Sequence, residues 1–246
     1  MNITVKRSIS YALLASVFAL ALLIGWGSGA PASYAKSVDD YTMIYDNFNP
    51  YTVYNDKTED YRFGVVKNSE LKLDAISLYH YNNGKGKKPG TISILKDGKK
   101  IGTWKCTGRY HDQYWDAFPN KILGEGNYTI SCSSNSTWSW NDQAKVGFTQ
   151  IYGIARYMPG IVSSISNFYG PTVIVDVKMI DGVQNYQIRY KVGKAKKWTK
   201  SPKNDGNIFE VKVKKGKTVK VQARYQGGNG YWGRWGKTKS FKTDKK

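Results

Sequence analysis

The chain contains two histidines, His80 and His111, and these are the first residues to consider for catalysis. A serine hydrolase needs a histidine beside a nucleophilic serine and a carboxylate. The sequence has no Gly-x-Ser-x-Gly turn, no His-Glu-x-x-His pair and no glycine-rich phosphate loop. Asp112 and Asp116 are candidates for the paired carboxylates of a glycosidase. We predict a non-catalytic protein without a cofactor or metal site, and keep a secreted hydrolase or hydrolase accessory subunit as the alternative.

Aromatic and amide side chains around two loops indicate a different chemistry, the binding of sugar rings. One group follows a strand end into a glycine-rich loop, and the other follows a Ser-Thr-Trp-Ser turn. If the loops meet at one end of a sandwich, they form a shallow site suited to a glycan. The alternative is that His80 and Asn82 only satisfy loop backbone groups. The predicted ligand-binding residues are His80, Tyr81, Asn82, Asn83, Trp140 and Asn141.

The chain has two cysteines, Cys106 and Cys132. Neither has a Cys-x-x-Cys partner or a histidine at the spacing of a zinc site. An even number of cysteines in an oxidising compartment favours a disulfide. We therefore predict a bridge between them, which would stabilise the fold by about 3 kcal/mol.

The N-terminal segment has the pattern of a secretory signal peptide. Lys6 and Arg7 precede an apolar run over residues 9–24, and small residues then lead to Ala35. We predict cleavage after Ala35, with an uncleaved membrane anchor as the alternative. No later apolar run is long enough to span a membrane. Residues 36–246 are then secreted or held at the bacterial cell surface, so their charge does not indicate nucleic acid as the physiological partner.

The rest of the sequence predicts short strands joined by turns. No helical period persists for three turns, and Asp97-Gly98 is a strong hairpin signal. Pro159 and Gly160 would interrupt a strand and indicate the link between two domains. We predict an all-β fold with two antiparallel β-sandwiches in tandem, jelly-roll-like over 36–157 and immunoglobulin-like over 158–246. The predicted strands cover 71–81, two strands within 91–105, 126–132, 146–152, 173–179, 186–190, 209–213, 218–225 and 237–242.

Positive charge is concentrated in the second of these domains. Residues 36–158 carry 16 basic and 13 acidic side chains, whereas residues 159–246 carry 20 basic and 5 acidic side chains. Outside the cell such an excess attracts polyanions, including wall teichoic acids, acidic polysaccharides and anionic lipid headgroups. The alternative is that the lysines only keep sheet faces and edges soluble.

The second domain resembles a bacterial fibronectin type III domain over about residues 161–243. The resemblance is carried by Asn-Tyr-Gln-Ile-Arg-Tyr at 185–190, Lys-Lys-Gly-Lys-Thr at 214–218, Val-Gln-Ala-Arg-Tyr at 221–225 and Tyr-Trp-Gly-Arg-Trp-Gly-Lys at 231–237. Val219 departs from the pattern, because the family usually has a tyrosine there that anchors a corner. The resemblance implies a non-catalytic extracellular module that acts as a spacer or a binding unit.

The first domain resembles an uncharacterised β-sandwich of secreted bacterial proteins over about residues 60–153. The matching stretches include Tyr-His-Tyr-Asn-Asn-Gly-Lys-Gly at 79–86, Pro-Gly-Thr-Ile-Ser at 89–93 and Ser-Thr-Trp-Ser at 136–139. Cys132 and Ser134 replace two aspartates of the pattern, so a function that needs this acidic pair is not expected here.

These observations favour an exported binding protein of the bacterial cell surface or wall. The first domain would contact a glycan, and the second would attach to an anionic cell-wall polymer or polysaccharide. A protein-binding adhesin is the remaining alternative.

Overall fold

A computed structural model describes residues 36–244, and the predicted signal peptide lies outside the described residues. The all-β fold with two antiparallel β-sandwiches in tandem is confirmed. Within the described part, no helix is long and apolar enough to cross a membrane. The strands of the first sandwich are β1 (Met43–Asp46), β2 (Tyr61–Val65), β3 (Ser69–Tyr79), β4 (Thr91–Lys96), β5 (Lys99–Lys105), β6 (Thr107–Arg109), β7 (Tyr114–Ala117), β8 (Lys121–Leu123), β9 (Gly126–Cys132) and β10 (Thr149–Tyr157). Short 3₁₀ turns occupy Val38–Asp40 and Asn82–Gly84.

The first sandwich packs one sheet of order β1-β10-β3-β7-β6, with β8 also paired to β3, against a second sheet of order β2-β9-β4-β5. The predicted hairpin joins β4 and β5, because Asp97 and Gly98 both adopt positive φ, as a two-residue hairpin turn requires. Large side chains fill the space between the sheets, among them Trp115 of β7 and Trp138 from the segment between β9 and β10, and Trp104 packs at the margin of this core.

The strands of the second sandwich are β11 (Val162–Asn167), β12 (Thr172–Val177), β13 (Asn185–Val192), β14 (Thr199–Lys200), β15 (Ile208–Lys212), β16 (Thr218–Gln226) and β17 (Lys239–Lys242). A three-stranded sheet, β11-β12-β15, faces a four-stranded sheet, β14-β13-β16-β17. Alternate valines and tyrosines of β13 and β16 point into a separate core. This arrangement is that of a fibronectin type III-like sandwich.

Val219, which departs from the family pattern, is fully buried in this core. A different tyrosine ties strands together. The hydroxyl of Tyr225 on β16 accepts a hydrogen bond from the Ile161 backbone N–H (3.0 Å) and donates one to the Lys178 carbonyl (3.1 Å). Tyr225 therefore holds the start of β11 and the end of β12 against the opposite sheet.

The disulfide predicted between Cys106 and Cys132 is wrong for this structure, in which both cysteines are free. Ile92 on β4 pairs with Cys132 on β9 and, on its other side, with Trp104 on β5. Cys106 directly follows β5, so strand β4 separates the two cysteines. Two strand spacings amount to about 10 Å, which exceeds the Cα separation that a disulfide bridges, about 7 Å.

One ion cluster joins the two sandwiches. The carboxylate of Glu70 on β3 is 3% exposed and accepts a bond from Nε of Arg156 on β10 (2.9 Å). It also accepts bonds from Nε (2.9 Å) and Nη2 (2.7 Å) of Arg234, which belongs to the second sandwich. Burial alone would raise the pKa of Glu70, but the hydrogen bonds from Arg234 and Arg156 outweigh it and lower the pKa. Glu70 is therefore ionised and holds one arginine from each sandwich.

We predict that both cysteines react as free thiols. Burial raises the pKa of each thiol to about 12, so little thiolate is present at neutral pH and alkylation of the folded protein should be slow. Thiol titration of the unfolded protein, without prior reduction, should find two thiols per chain. A titration that finds none would contradict this structure.

Replacement of Glu70 should weaken the join between the sandwiches. Glu70→Gln leaves two arginines without their carboxylate and should lower the free energy of unfolding at neutral pH by about 3 kcal/mol. Because the pKa of Glu70 is lowered on folding, this stabilisation is present above pH 4.5 and is lost as the pH falls below that value. The matched control is Glu210→Gln, at an exposed position on β15. Denaturation curves that are the same for the two variants at pH 7 would contradict the role of Glu70.

Candidate functional site

The two loops predicted to form a site do meet at one end of the first sandwich. The backbone N–H of Tyr81 donates to Oγ of Ser139 (2.8 Å), and the Ser139 N–H donates to the Tyr79 carbonyl (2.8 Å). We call this region the loop end. The loop of residues 80–86 and the loop that contains Trp140 are therefore neighbours, but their side chains are not equally available to a ligand.

His80 is fully buried and does not reach the surface, which corrects its prediction as a ligand contact. Its ring stacks on Trp115 with centroids 3.9 Å apart, and Nδ1 lies 3.0 Å from Oγ1 of Thr137. Nε2 has no hydrogen-bond partner among the described residues. Burial lowers the pKa of His80 to about 3. His80 is thus a neutral core residue that stacks on Trp115 and lies beside Thr137.

Asn141 is only 3% exposed and also serves the structure instead of a ligand. Its Nδ2 donates to Oδ1 of Asn49 (2.6 Å), and its Oδ1 accepts from the Ala144 N–H (2.9 Å). Nδ2 of Asn82 donates a hydrogen bond to the Gly86 carbonyl (2.7 Å). Of the predicted residues, Asn83 is exposed, and Tyr81, Asn82 and Trp140 are partly exposed.

The exposed part of the loop end includes side chains that the sequence did not indicate. Nε1–H of Trp140 donates to Asp56 (2.7 Å), and the hydroxyl of Tyr54 donates to Asp142 (2.7 Å). The rings of Tyr54 and Trp140 meet edge to face at 5.1 Å, and the Asp142 hydrogen bond raises the pKa of Tyr54. Residues 50–57 show no strand alternation, so only the pairing of Tyr54 with Trp140 reveals their role.

A shallow cavity of about 320 Å³ lies beside this aromatic pair, with Tyr51, Thr52 and Gln143 in its lining. The Asp142 carboxylate in its lining disfavours an anion, whereas an uncharged sugar meets aromatic edges and hydrogen-bond acceptors. No cluster of three metal-ligating side chains occurs among residues 36–244. The exposed part of the loop end is therefore aromatic and acidic in character.

The residues considered for catalysis are not assembled into a reaction centre in the described chain. Asp116 is buried, accepts a bond from Ser77 Oγ (2.5 Å) and pairs with Arg109 (2.9 Å). His111 and Asp112 lie in the exposed turn between β6 and β7, where both adopt positive φ. Among the hydrogen bonds of the described residues, none joins His111 to a serine or a carboxylate.

The second sandwich presents a surface of opposite character on the outer face of its four-stranded sheet, which we call the basic face. The strands of this sheet, β13, β14, β16 and β17, carry seven lysines and arginines and no acidic residue. The strands of the opposite sheet carry one basic and two acidic residues. The basic side chains that alternate with core residues and so point outward are Arg189, Lys191, Lys200, Lys220, Arg224 and Lys242.

Fold and surfaces together define an all-β protein of two sandwiches, the second fibronectin type III-like. Among solved structures, a two-domain fibronectin type III segment of chicken tenascin matches 76% of this chain and 98% of its own length, at 14% identity and a TM-score of 0.37. A structure titled "Myokine structure" matches 35% of this chain and 97% of its own, at 10% identity and a TM-score of 0.31.

Domains A168–A170 of titin match 64% of this chain, at 13% identity and a TM-score of 0.31, and the chain spans 55% of that fragment. No protein-family model matches the chain, and no curated protein matches it. The assignment of the fold class therefore rests on the strand topology.

We predict that His80 makes the stability of the protein depend on pH. Its folded pKa of about 3 lies below the ordinary value of 6.5, so the unfolded chain binds a proton that the folded chain excludes. The free energy of unfolding should fall by up to about 1.4 kcal/mol per pH unit as the pH drops below 6.5. Denaturation of the His80→Asn variant should lack this dependence, whereas the exposed control His111→Asn should retain it. Equal slopes for the two variants would contradict the neutral state of His80.

Proposed function

We propose that this chain is an exported, non-catalytic binding protein of the bacterial cell surface or wall, and that it attaches to an anionic polymer through its second sandwich. The observation that carries the proposal is the absence of any acidic residue from the strands of the four-stranded sheet that hold the basic face. If the lysines served only solubility, acidic residues would be expected on the strands of both sheets. They occur only on the strands of the three-stranded sheet.

The geometry of the basic face supports attachment to a polymer more than to a small anion. Lys191 on β13 pairs with Lys220 on β16, and Arg189 pairs with Lys200 on β14, so like charges lie on adjacent strands. Strands are about 4.8 Å apart, well within the distance of about 10 Å over which 0.1 M salt screens charges. A long polyanion neutralises several of these charges at once.

The first sandwich has a different part in this proposal. Its loop end bears Asp56 and Asp142 beside the aromatic pair, and these carboxylates would repel a polyanion. We propose that this end contacts uncharged sugar units, which leaves the anionic groups to the second sandwich. The two surfaces would then bind the sugar units and the anionic groups of one cell-wall polymer.

The experiment is retention of residues 36–246 on isolated cell wall, with and without its teichoic acid. A variant with Lys191, Lys200, Lys220 and Lys242 changed to glutamine should lose at least about tenfold in affinity, and retention of the unaltered protein should fall steeply with salt. A control with the exposed lysines Lys67, Lys99, Lys100 and Lys105 of the first sandwich changed to glutamine loses the same charge. Equal losses in the two variants, or retention that salt does not change, would overturn the proposal.

A further inference from the structure

An alternating stack of tryptophans and arginines crosses the basic face. Cζ of Arg189 lies 4.9 Å from the ring centroid of Trp198 and 4.7 Å from that of Trp235. Cζ of Arg224 lies 4.4 Å from the centroids of both Trp235 and Trp232. We call this stack the Trp–Arg ladder, and its order is Trp198, Arg189, Trp235, Arg224 and Trp232. At one end, Nζ of Lys191 lies 5.0 Å from the ring of Trp198.

The ladder holds its two positive charges close together without a carboxylate. Both arginines contact Trp235, so their guanidinium carbons are at most about 9 Å apart, within the screening length of 0.1 M salt. Desolvation and the charge of Arg189 lower the pKa of Arg224. Aromatic faces stabilise the guanidinium groups in part, but a net charge at the surface is left to attract an anion.

Neutral side chains fix the orientation of both arginines. Nε of Arg189 donates to Oε1 of Gln222 (2.6 Å), while Nε and Nη2 of Arg224 donate to Oε1 of Gln187 (3.0 and 2.5 Å). The Nε edge of each guanidinium is thereby used, and terminal N–H groups are left at the half-buried surface of the ladder. Two separate guanidinium groups, each with its Nε edge occupied, suit an anion that accepts from more than one cation.

A phosphodiester has this property. Its two non-bridging oxygens share one charge and can accept bonds from two cations. The neighbouring Lys191 and Lys220 add compact ammonium charges, which also bind phosphate as point charges. Trp235 is contacted by both arginines, and Trp198 and Trp232 are each contacted by one, so the central ring of the ladder is not free to stack on a sugar.

We propose that the Trp–Arg ladder is a phosphodiester site that binds consecutive repeats of a polyol-phosphate polymer, with Arg189 and Arg224 as its specific contacts. This inference rests on the proposed function, because it names the ligand and the residues of the polyanion surface. It differs from general charge attraction, in which every cation of the basic face would count equally.

The test compares two pairs of substitutions that remove the same charge from the same sheet. Arg189→Gln with Arg224→Gln should weaken binding to soluble poly(glycerol phosphate) at least about tenfold, measured by calorimetry on residues 36–246. The control, Lys200→Gln with Lys242→Gln, removes two lysines of the same sheet that lie outside the ladder and should weaken it less than about threefold. Equal losses would overturn the ladder as a specific site while leaving attachment to polyanions in place. No binding by the unaltered protein, or unchanged affinity in both pairs, would overturn the proposed function itself.

Two further measurements test whether the site requires a guanidinium group and whether it prefers phosphate. Arg189→Lys retains the charge but not the planar fork, so it should lose about as much affinity as Arg189→Gln, with an unchanged melting temperature showing that the sandwich is folded. Full affinity in Arg189→Lys would overturn the requirement for a guanidinium. Polygalacturonate at the same charge concentration should bind at least about tenfold more weakly than poly(glycerol phosphate), and equal or tighter binding would overturn the assignment to phosphate.

Discussion

The contact of Trp235 with two arginines is the interaction on which the second sandwich and its surface depend. The charged side chains on the strands of this sheet are all basic and repel one another. Stacking Arg189 and Arg224 against the Trp235 ring, and binding each to a glutamine, stabilises the charges without neutralising them. A carboxylate would have stabilised the same arginines but would have removed the attraction for an anion.

The short segment around Trp235 also decides how the two sandwiches are joined. Trp232 and Trp235 contribute to the ladder, while Arg234 between them donates to Glu70 of the first sandwich. Gly236 packs so closely on the Gly160 backbone that a Cβ at this position would overlap the Gly160 carbonyl, so this segment needs glycine. Binding of a ligand to Trp232 or Trp235 would therefore take place beside Arg234, the residue that contacts the first sandwich.

The sequence predicted the fold better than it predicted the sites. Alternation in β13 and β16 and the Asp97-Gly98 turn identify elements whose residues meet local neighbours, and these were confirmed. Seven strands were missed, namely β1, β2, β6, β7, β8, β11 and β14. All of them except β11 have two to five residues, which carry too little alternation to be recognised. His80 and Asn141 were predicted as ligand contacts, but burial depends on packing between loops distant in sequence. The ladder was missed for the same reason, because only the pairing of β13 with β16 brings Arg189 near Arg224, and Trp198 and Trp235 reach Arg189 from two separate loops.

NMR titration tests most directly whether the basic face of the second sandwich binds an anionic polymer. Residues 36–246 would be titrated with poly(glycerol phosphate), and backbone and indole resonances followed. We expect chemical-shift changes to concentrate on the backbone of β13, β14 and β16 and on the indole N–H groups of Trp198, Trp232 and Trp235. Shifts confined to the loop end, at Tyr54 and Trp140, or no shifts at all, would contradict it.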